Sequence, residues 1–321
     1  MFTYVIRRVL YLIPVLVLTS MIIFTFVSVS GDPLGEIRRL PNVSQITIDN
    51  LIEAKHLDDP LPVQYWFWVK AAVTDQFGTT LLGDEPIWPD LKRVLGNTLQ
   101  LIVAAQILSV MIAIGVGVYS AIRQYSLFDY SATTFSFLGF SMPVFWLALI
   151  LQIIFTNIYL NYGVRIFYTA QLSSPNPDNF LLDRVQHLML PVITLAVIGV
   201  AQYSRYMRAS MLEVVNSDYV RTARAKGLSE RGVVMKHAFR NALIPLVTVV
   251  ALDFGALFGG AFATETVFAL DGMGLYFLRA LSSRDVYPVM AWLMVASVIV
   301  VLFNLIADII YGYLDPRIRY D

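Results

Sequence analysis

The order of hydrophobic and polar positions divides this chain into long apolar runs separated by polar stretches. Six runs are long enough to cross a bilayer, whose apolar core of about 30 Å requires roughly 20 helical residues. The predicted spans cover about residues 9–30, 98–122, 131–159, 188–208, 243–263 and 289–312. The pattern therefore predicts an all-α, polytopic membrane protein with about six transmembrane helices, forming a single domain over residues 1–321.

The first apolar run could also be the core of a signal peptide, because Arg7 and Arg8 precede it. It is longer than a usual signal-peptide core of about 7–15 residues. We interpret it as a retained span, with cleavage as the alternative.

Composition agrees with a membrane protein and narrows its chemistry. Hydrophobic residues make up 57% of the 321 positions and charged residues 14%, whereas soluble domains carry about 25% charged residues. The formal net charge of zero gives no general attraction to nucleic acid. The sequence has no cysteine and no G-x-x-x-x-G-K-[ST] phosphate-binding loop, and its three histidines lie in different predicted regions. We therefore expect no catalytic, metal or cofactor site in this chain.

Lysine and arginine predict the orientation, because cytoplasmic loops carry an excess of positive residues. With the N-terminus inside, the cytoplasmic segments hold 13 of the 23 lysines and arginines, counting Arg205 and Arg208 with the central loop. Both termini are then predicted to be cytoplasmic, and residues 209–241 form a cytoplasmic loop.

The predicted extracytoplasmic side has two segments of different character. Residues 31–97, with ten acidic and six basic residues, form the larger one. Its aromatic run Gln64–Trp68 is typical of a membrane interface and predicts a short amphipathic or re-entrant helix. Residues 160–187 are rich in Pro, Asn and Ser, which predicts a solvent loop with little regular structure.

Within the cytoplasmic loop, the sequence predicts two helices separated by a glycine. Ser217 and Asp218 are candidate caps for a helix that begins near Tyr219. Gly227 is expected to end this helix, and a second helix begins near Ser229. From these residues alone, the loop is either a solvated connection or a docking surface.

Asp253 and Asp308 place carboxylates within the predicted fifth and sixth spans. A carboxylate inside a membrane usually faces a polar cavity or a hydrogen-bonding partner. Asp253 therefore lies either on the translocation path or in a helix-packing contact. Asp308 is near the predicted cytoplasmic end, where anchoring at the interface is the favoured interpretation.

Residues Tyr219–Pro245 resemble the cytoplasmic docking loop of the permease subunits of bacterial peptide ABC importers, the dipeptide/oligopeptide type. Other segments resemble that family in the same order along the chain: Asp75–Thr80, Glu265–Phe268 with Gly272–Gly274, Arg284–Pro288 and Leu314–Arg319. This ordered set is more specific than any single motif. The chain departs from the wider superfamily where Glu-Ala-Ala is usual, since Arg221, Thr222 and Ala223 stand there.

The resemblance implies a type I ABC importer permease in the bacterial cytoplasmic (inner) membrane, paired with a second homologous permease subunit. Two ABC ATPase subunits or domains would bind ATP and Mg and dock on the cytoplasmic loop. An extracytoplasmic substrate-binding protein would deliver di- or oligopeptides. The resemblance assigns docking to Ala223, Arg224, Ala225, Lys226, Gly227 and Leu228.

Other functions are compatible with parts of this pattern. Related permeases also transport nickel complexes, glutathione or oligosaccharides, so the solute stays open. A passive channel is one alternative and would need no ATPase, and an exporter permease is a nearer alternative. An intramembrane enzyme would need converging nucleophile, base or metal residues, and the two intramembrane aspartates do not form a recognised pair motif.

Overall fold

The computed structural model describes residues 2–35, 37–39, 43–81 and 83–314 of the chain. Within these residues the fold is helical, and no β-strand is assigned beyond one isolated bridge between Thr79 and Pro86. The helices are α1 (Phe2–Val29), α2 (Gln45–Lys55), α3 (Leu61–Thr74), α4 (Ile87–Ile122), α5 (Leu127–Ser141), α6 (Val144–Tyr162), α7 (Phe180–Val215), α8 (Asp218–Ala225), α9 (Glu230–Gly232), α10 (Phe239–Val267), α11 (Met273–Ser282) and α12 (Val286–Leu314). The all-α prediction is confirmed.

Six helical stretches of the described chain are long and apolar enough to cross a membrane, as predicted. They are Ile6–Val29, Ile87–Ile122, Val144–Tyr162, Phe180–Val215, Glu230–Gly255 and Val286–Ile310. The predicted third span of residues 131–159 is wrong in its bounds, because the helix breaks before Pro143. Proline disfavours a helical conformation in the preceding residue, and Met142 is extended (φ −85°, ψ 124°). Residues 131–141 therefore belong to the separate helix α5.

The polar segments contain more helix than the sequence predicted. In the segment predicted to be a loop at residues 160–187, α7 begins at Phe180, where the Asn179 side chain accepts hydrogen bonds from the amides of Leu181 and Leu182. At its other end α7 continues to Val215, so Arg205 and Arg208 lie on a helix rather than in a loop. The short helix expected around Gln64–Trp68 is present as α3.

The chain divides into two compact units. The N-terminal unit comprises residues Phe2–Thr98 and Asp271–Leu302. In it, Phe24, Trp68 and Met290 form one buried cluster. Two of the family-like segments, Asp75–Thr80 and Arg284–Pro288, meet in this unit. The Asp285 carboxylate accepts a hydrogen bond of 2.7 Å from the amide of Leu81, the residue that follows Thr80. The family-like segment Leu314–Arg319 lies outside the described residues apart from Leu314.

The core unit comprises Leu99–Leu270 and the chain from Phe303 onward. Its central helix is α7, which packs against α5, α6 and α10. Helices α4 and α7 approach closely at two glycines. A Cβ added at Gly117 would lie 2.6 Å from the Met207 Cβ, and one added at Gly199 would lie 2.6 Å from the Ser109 hydroxyl. Small residues allow such close packing in lipid, where dispersion contacts drive helix association.

Candidate functional site

The predicted docking segment consists of a short helix that ends where the sequence placed its end. Helix α8 spans Asp218–Ala225, with Lys226 as its C-cap. Gly227 follows with φ +79°, a left-handed conformation that costs other residues more than glycine. The predicted helix and its termination at Gly227 are confirmed. The predicted Ser217 side-chain cap is not formed, because the Ser217 hydroxyl donates instead to the Val214 carbonyl at 2.6 Å.

Helix α8 is held on the core unit by its apolar face. Val220 and Ala223 are buried in a cluster that includes Met207 and Met211 of α7. Val233 and Val234, which follow α9, belong to the same cluster. Positions 220 and 223 are one turn apart and share a face. Helix α8 therefore rests on α7 and on the residues that follow α9, and leaves its opposite face to solvent.

The six residues assigned to docking have unequal exposure. Ala223 is buried and Arg224 half-buried, whereas Ala225, Lys226, Gly227 and Leu228 are exposed. The side chain of Ala223 therefore attaches α8 to the protein's own core. The accessible part of the predicted docking surface lies from Ala225 to Leu228.

Arg224 links three parts of this region. Its guanidinium donates to both carboxylate oxygens of Glu230, at 2.8 and 3.2 Å, and to the Val215 carbonyl at 3.3 Å. The hydrogen bonds to Glu230 raise the pKa of Arg224. These contacts tie the end of α7, α8 and the start of α9 together. This pair was not predicted from the sequence, although opposite charges stand on the two sides of the glycine that ends the helix.

The second predicted helix is also present, with an irregularity that the sequence did not indicate. Ser229 caps α9, and its hydroxyl accepts from the Gly232 amide at 3.4 Å. Residues Val233–Ala238 then form a π-helical turn that leads into α10. Such turns are rare in proteins, but those that occur are often found at functional sites. Here the turn places Val233, Val234 and Ala238 against the core.

Asp253 has a hydrogen-bonding partner inside the membrane-spanning region. The Gln202 side-chain amide of α7 donates to the Asp253 carboxylate of α10 at 2.8 Å. Next to Gln202 along α7, the buried Tyr203 hydroxyl accepts from the Gln106 amide of α4 at 3.0 Å. The Gln106 side-chain amide also donates to the Val250 carbonyl of α10 at 3.4 Å. We call these four side chains, Gln106, Gln202, Tyr203 and Asp253, the intramembrane polar cluster.

The intramembrane polar cluster leaves both interpretations of Asp253 standing. A partnered, half-buried carboxylate satisfies the helix-packing interpretation directly. The same polar side chains could also line a path for a polar solute, so the path assignment stays a prediction. Asp253 was identified from the sequence, whereas Gln106, Gln202 and Tyr203 were not. The two glutamines within apolar spans were the available signal, because polar side chains are costly there.

A second buried polar contact fixes α5 on α7. Asp129 is buried and accepts two hydrogen bonds from the Arg208 guanidinium, at 2.6 and 2.8 Å. The Tyr125 amide donates to the same carboxylate at 3.0 Å. The hydrogen bonds from Arg208 lower the pKa of Asp129. Arg208 therefore has a structural partner, in addition to its contribution to the positive charge used to predict orientation.

Comparison with known proteins covers the whole chain. Residues 113–320 match the family described as "Binding-protein-dependent transport system inner membrane component", and residues 1–88 match the corresponding N-terminal family. The oligopeptide transport system permease protein AppB of Bacillus subtilis is 39% identical, over all of both chains. The dipeptide transport system permease protein DppB of Alkalihalophilus pseudofirmus is 38% identical, also over all of both chains. The DppB protein of Escherichia coli is 33% identical, over all of this chain and 99% of that protein.

A solved structure supports the fold. The chain is similar to one in a crystal structure of "an amino acid ABC transporter with histidines", with a TM-score of 0.54 and 13% identity. The match covers 70% of this chain and 94% of that chain. At this identity the likeness concerns the fold alone.

Six candidate spans and two family matches agree with a multi-pass permease subunit of the bacterial inner membrane. The chain therefore belongs to the family of binding-protein-dependent transport system inner membrane components.

Proposed function

We propose that this permease forms half of the translocation pathway of an ATP-driven importer of di- or oligopeptides. The observation that carries the proposal is the full-length identity of 33–39% to proteins named as oligopeptide or dipeptide permeases. A second homologous permease forms the other half, and an extracytoplasmic binding protein delivers the peptide. The solute assignment rests on those relatives, since no feature of the intramembrane polar cluster is specific to peptides.

ATP hydrolysis belongs to separate ATPase subunits in this proposal. Two ATPase subunits or domains bind ATP and Mg and dock on the exposed surface from Ala225 to Leu228, on the cytoplasmic side. Support comes from the way α8 is attached: its buried residues lie on α7, and Arg224 ties it to the start of α9. A force on α8 would thus reach α7 directly. Because α7 carries Gln202 and Tyr203, closure of the ATPases can change the packing around the intramembrane polar cluster.

The substrate is tested by uptake into proteoliposomes that contain the complete complex. We expect labelled di- or oligopeptides to accumulate only with internal ATP and the binding protein present. Unlabelled nickel complexes, glutathione and oligosaccharides serve as competitors. Competition by one of these solutes in place of peptides would reassign the substrate. Uptake without ATP hydrolysis would contradict the importer mechanism itself.

Gly227 tests the docking assignment with a matched pair of variants. An added Cβ at this position would meet no other atom of this chain within 4 Å, so a clash within the chain does not explain a loss. Gly227→Val disfavours the left-handed conformation, whereas Gly227→Asn tolerates it. We expect the valine variant to lose ATPase co-purification and uptake, and the asparagine variant to retain most of both. Unchanged uptake by Gly227→Val would remove this loop from the coupling step.

A further inference from the structure

Helix α3 presents an apolar face to its surroundings. The exposed side chains Val63, Trp66, Lys70 and Val73 follow one another at intervals of three or four residues and share one face. Trp66 is 64% exposed and Val73 is 80% exposed. Lys70 is the one charged residue among the 14 of this helix. Exposed apolar side chains aligned along one face of a helix favour a contact with another apolar body.

The opposite face of α3 shows the depth at which the helix lies, because it packs on the first membrane span. The Tyr65 hydroxyl lies 2.8 Å from the Ser20 hydroxyl of α1. The Phe24 ring of α1 lies 5.5 Å from the Tyr65 ring and 5.8 Å from the Trp68 ring. These contacts bury Phe24 and Trp68. Helix α3 is thus attached to α1 at Ser20 and Phe24, well before the span ends at Val29.

The distance from these contacts to the membrane surface follows from helix geometry. Phe24 and Ser20 precede the end of the span by about 7.5 and 13.5 Å, at about 1.5 Å per residue. The polar sequence Ser30-Gly31-Asp32 follows the span and marks its exit from the apolar layer. Half of the apolar layer is about 15 Å thick. The contacts between α1 and α3 therefore lie inside the apolar layer.

We propose that α3 is embedded in the membrane leaflet that the C-terminal end of α1 reaches, with Val63, Trp66 and Val73 in contact with lipid. Its 14 residues extend for about 21 Å, which is too short to cross the bilayer. Helix α3 therefore enters the leaflet beside α1 without crossing the bilayer. The tryptophan ring is favourable near the interface, and the flexible Lys70 side chain reaches the headgroups.

The surrounding chain supports lipid rather than water as the partner. The helix contains no Asp or Glu, whereas the neighbouring α2 carries Asp49 and Glu53. The first span, on which α3 packs, also has exposed apolar side chains, among them Phe26, which is 73% exposed. The segment predicted to be extracytoplasmic, residues 31–97, thus contains one membrane-embedded helix, at the place where a short amphipathic or re-entrant helix was predicted.

Site-directed spin labelling in the assembled importer tests this placement. The chain has no cysteine, so Trp66→Cys and Val73→Cys each introduce a single label into it, and the complex without either variant gives the background. Collision rates with oxygen and with a water-soluble nickel chelate report lipid and water exposure respectively. Phe26→Cys serves as the lipid-facing reference. Ile46→Cys on α2, where the native side chain is 72% exposed, serves as the water-facing reference.

We expect labels at positions 66 and 73 to collide more often with oxygen than with the nickel chelate, as at position 26 and in contrast to position 46. Preferential collision with the nickel chelate at both positions would overturn the proposal in favour of a water-exposed helix. Protection from both reagents would also overturn it, because a protein partner would then cover the face. The two positions are independent, so a variant that fails to assemble leaves the other as the test.

Discussion

The docking helix α8 and the intramembrane polar cluster use polar residues in opposite ways. In α8, apolar Val220 and Ala223 are buried, and the polar side chains surround them at the surface. In the cluster, Gln106 and Tyr203 are themselves buried and bond to each other across helices. The burial of apolar side chains holds α8 in place, whereas hydrogen bonds between helices satisfy the buried polar groups of the intramembrane polar cluster. The two regions should therefore respond differently to the same kinds of substitution.

The largest expected effect separates the two faces of α8. Val220→Asp buries a charge without a partner, and we expect a loss of stability on the order of 3–4 kcal/mol. The matched variant Thr222→Asp puts the same side chain on the exposed face and should leave the unfolding temperature nearly unchanged. Thermal unfolding of the purified complex, followed with ATPase co-purification, measures both. Equal destabilisation by the two variants would contradict the buried attachment of α8 to α7.

A smaller effect is expected in the intramembrane polar cluster. Asp253→Ala removes the acceptor of the Gln202 amide, and an interhelical hydrogen bond in a membrane contributes about 0.6 kcal/mol, at most about 2. Asp253→Asn retains an acceptor oxygen and should keep the unfolding temperature of the unmodified protein. The unfolding temperatures of both variants are compared in detergent or nanodiscs.

Uptake by the same two variants distinguishes the two interpretations of Asp253. If Asp253 lies on the translocation path, Asp253→Asn loses uptake while its stability is retained. If Asp253 serves helix packing, uptake falls only where stability falls, as in Asp253→Ala. A loss of stability in the asparagine variant equal to that of alanine would contradict the assigned contact with Gln202.

The sequence predicted those features of the two regions that depend on local patterns. The end of α8 at Gly227 was predictable because glycine adopts the left-handed conformation there. The six spans were predictable because the membrane sets a minimum length of apolar helix. Asp253 was identifiable by its charge alone. In each case the information lies within one continuous segment of the sequence.

The features that sequence reasoning missed depend on contacts between distant residues. The hydrogen bond between Gln106 and Tyr203 joins positions 97 residues apart, and that between Gln202 and Asp253 joins positions 51 apart. The break at Pro143 was misjudged because the apolar run continues through it. Hydropathy measures the apolar character of a segment and does not register a change of backbone direction. The burial of Ala223 also depended on the position of α7, which the local pattern does not contain.

The smallest expected effect concerns Arg224 and Glu230, which connect α8 to the following helix. Exposed ion pairs contribute about 0.2–1 kcal/mol, and we expect a coupling energy in this range from a double-mutant cycle of Arg224→Ala and Glu230→Ala. The matched control is Asp218–Arg221, which is more exposed and separated by 3.7 Å; its coupling should be near zero. Both cycles are measured by unfolding at low and high salt.

Comparing the coupling energies at low and high salt separates the contribution of contact geometry from that of charge. Exposed charges are screened within about 10 Å at 0.1 M salt, so part of the coupling between Arg224 and Glu230 should decrease at high salt. The two-oxygen contact and the third hydrogen bond to Val215 should preserve the remainder. Equal coupling energies in the two cycles would mean that Arg224 contributes no more to stability than an ordinary surface charge. A coupling specific to Arg224 would mean that α8 is fixed to its neighbours by a polar contact, as the intramembrane helices are, in addition to its apolar face.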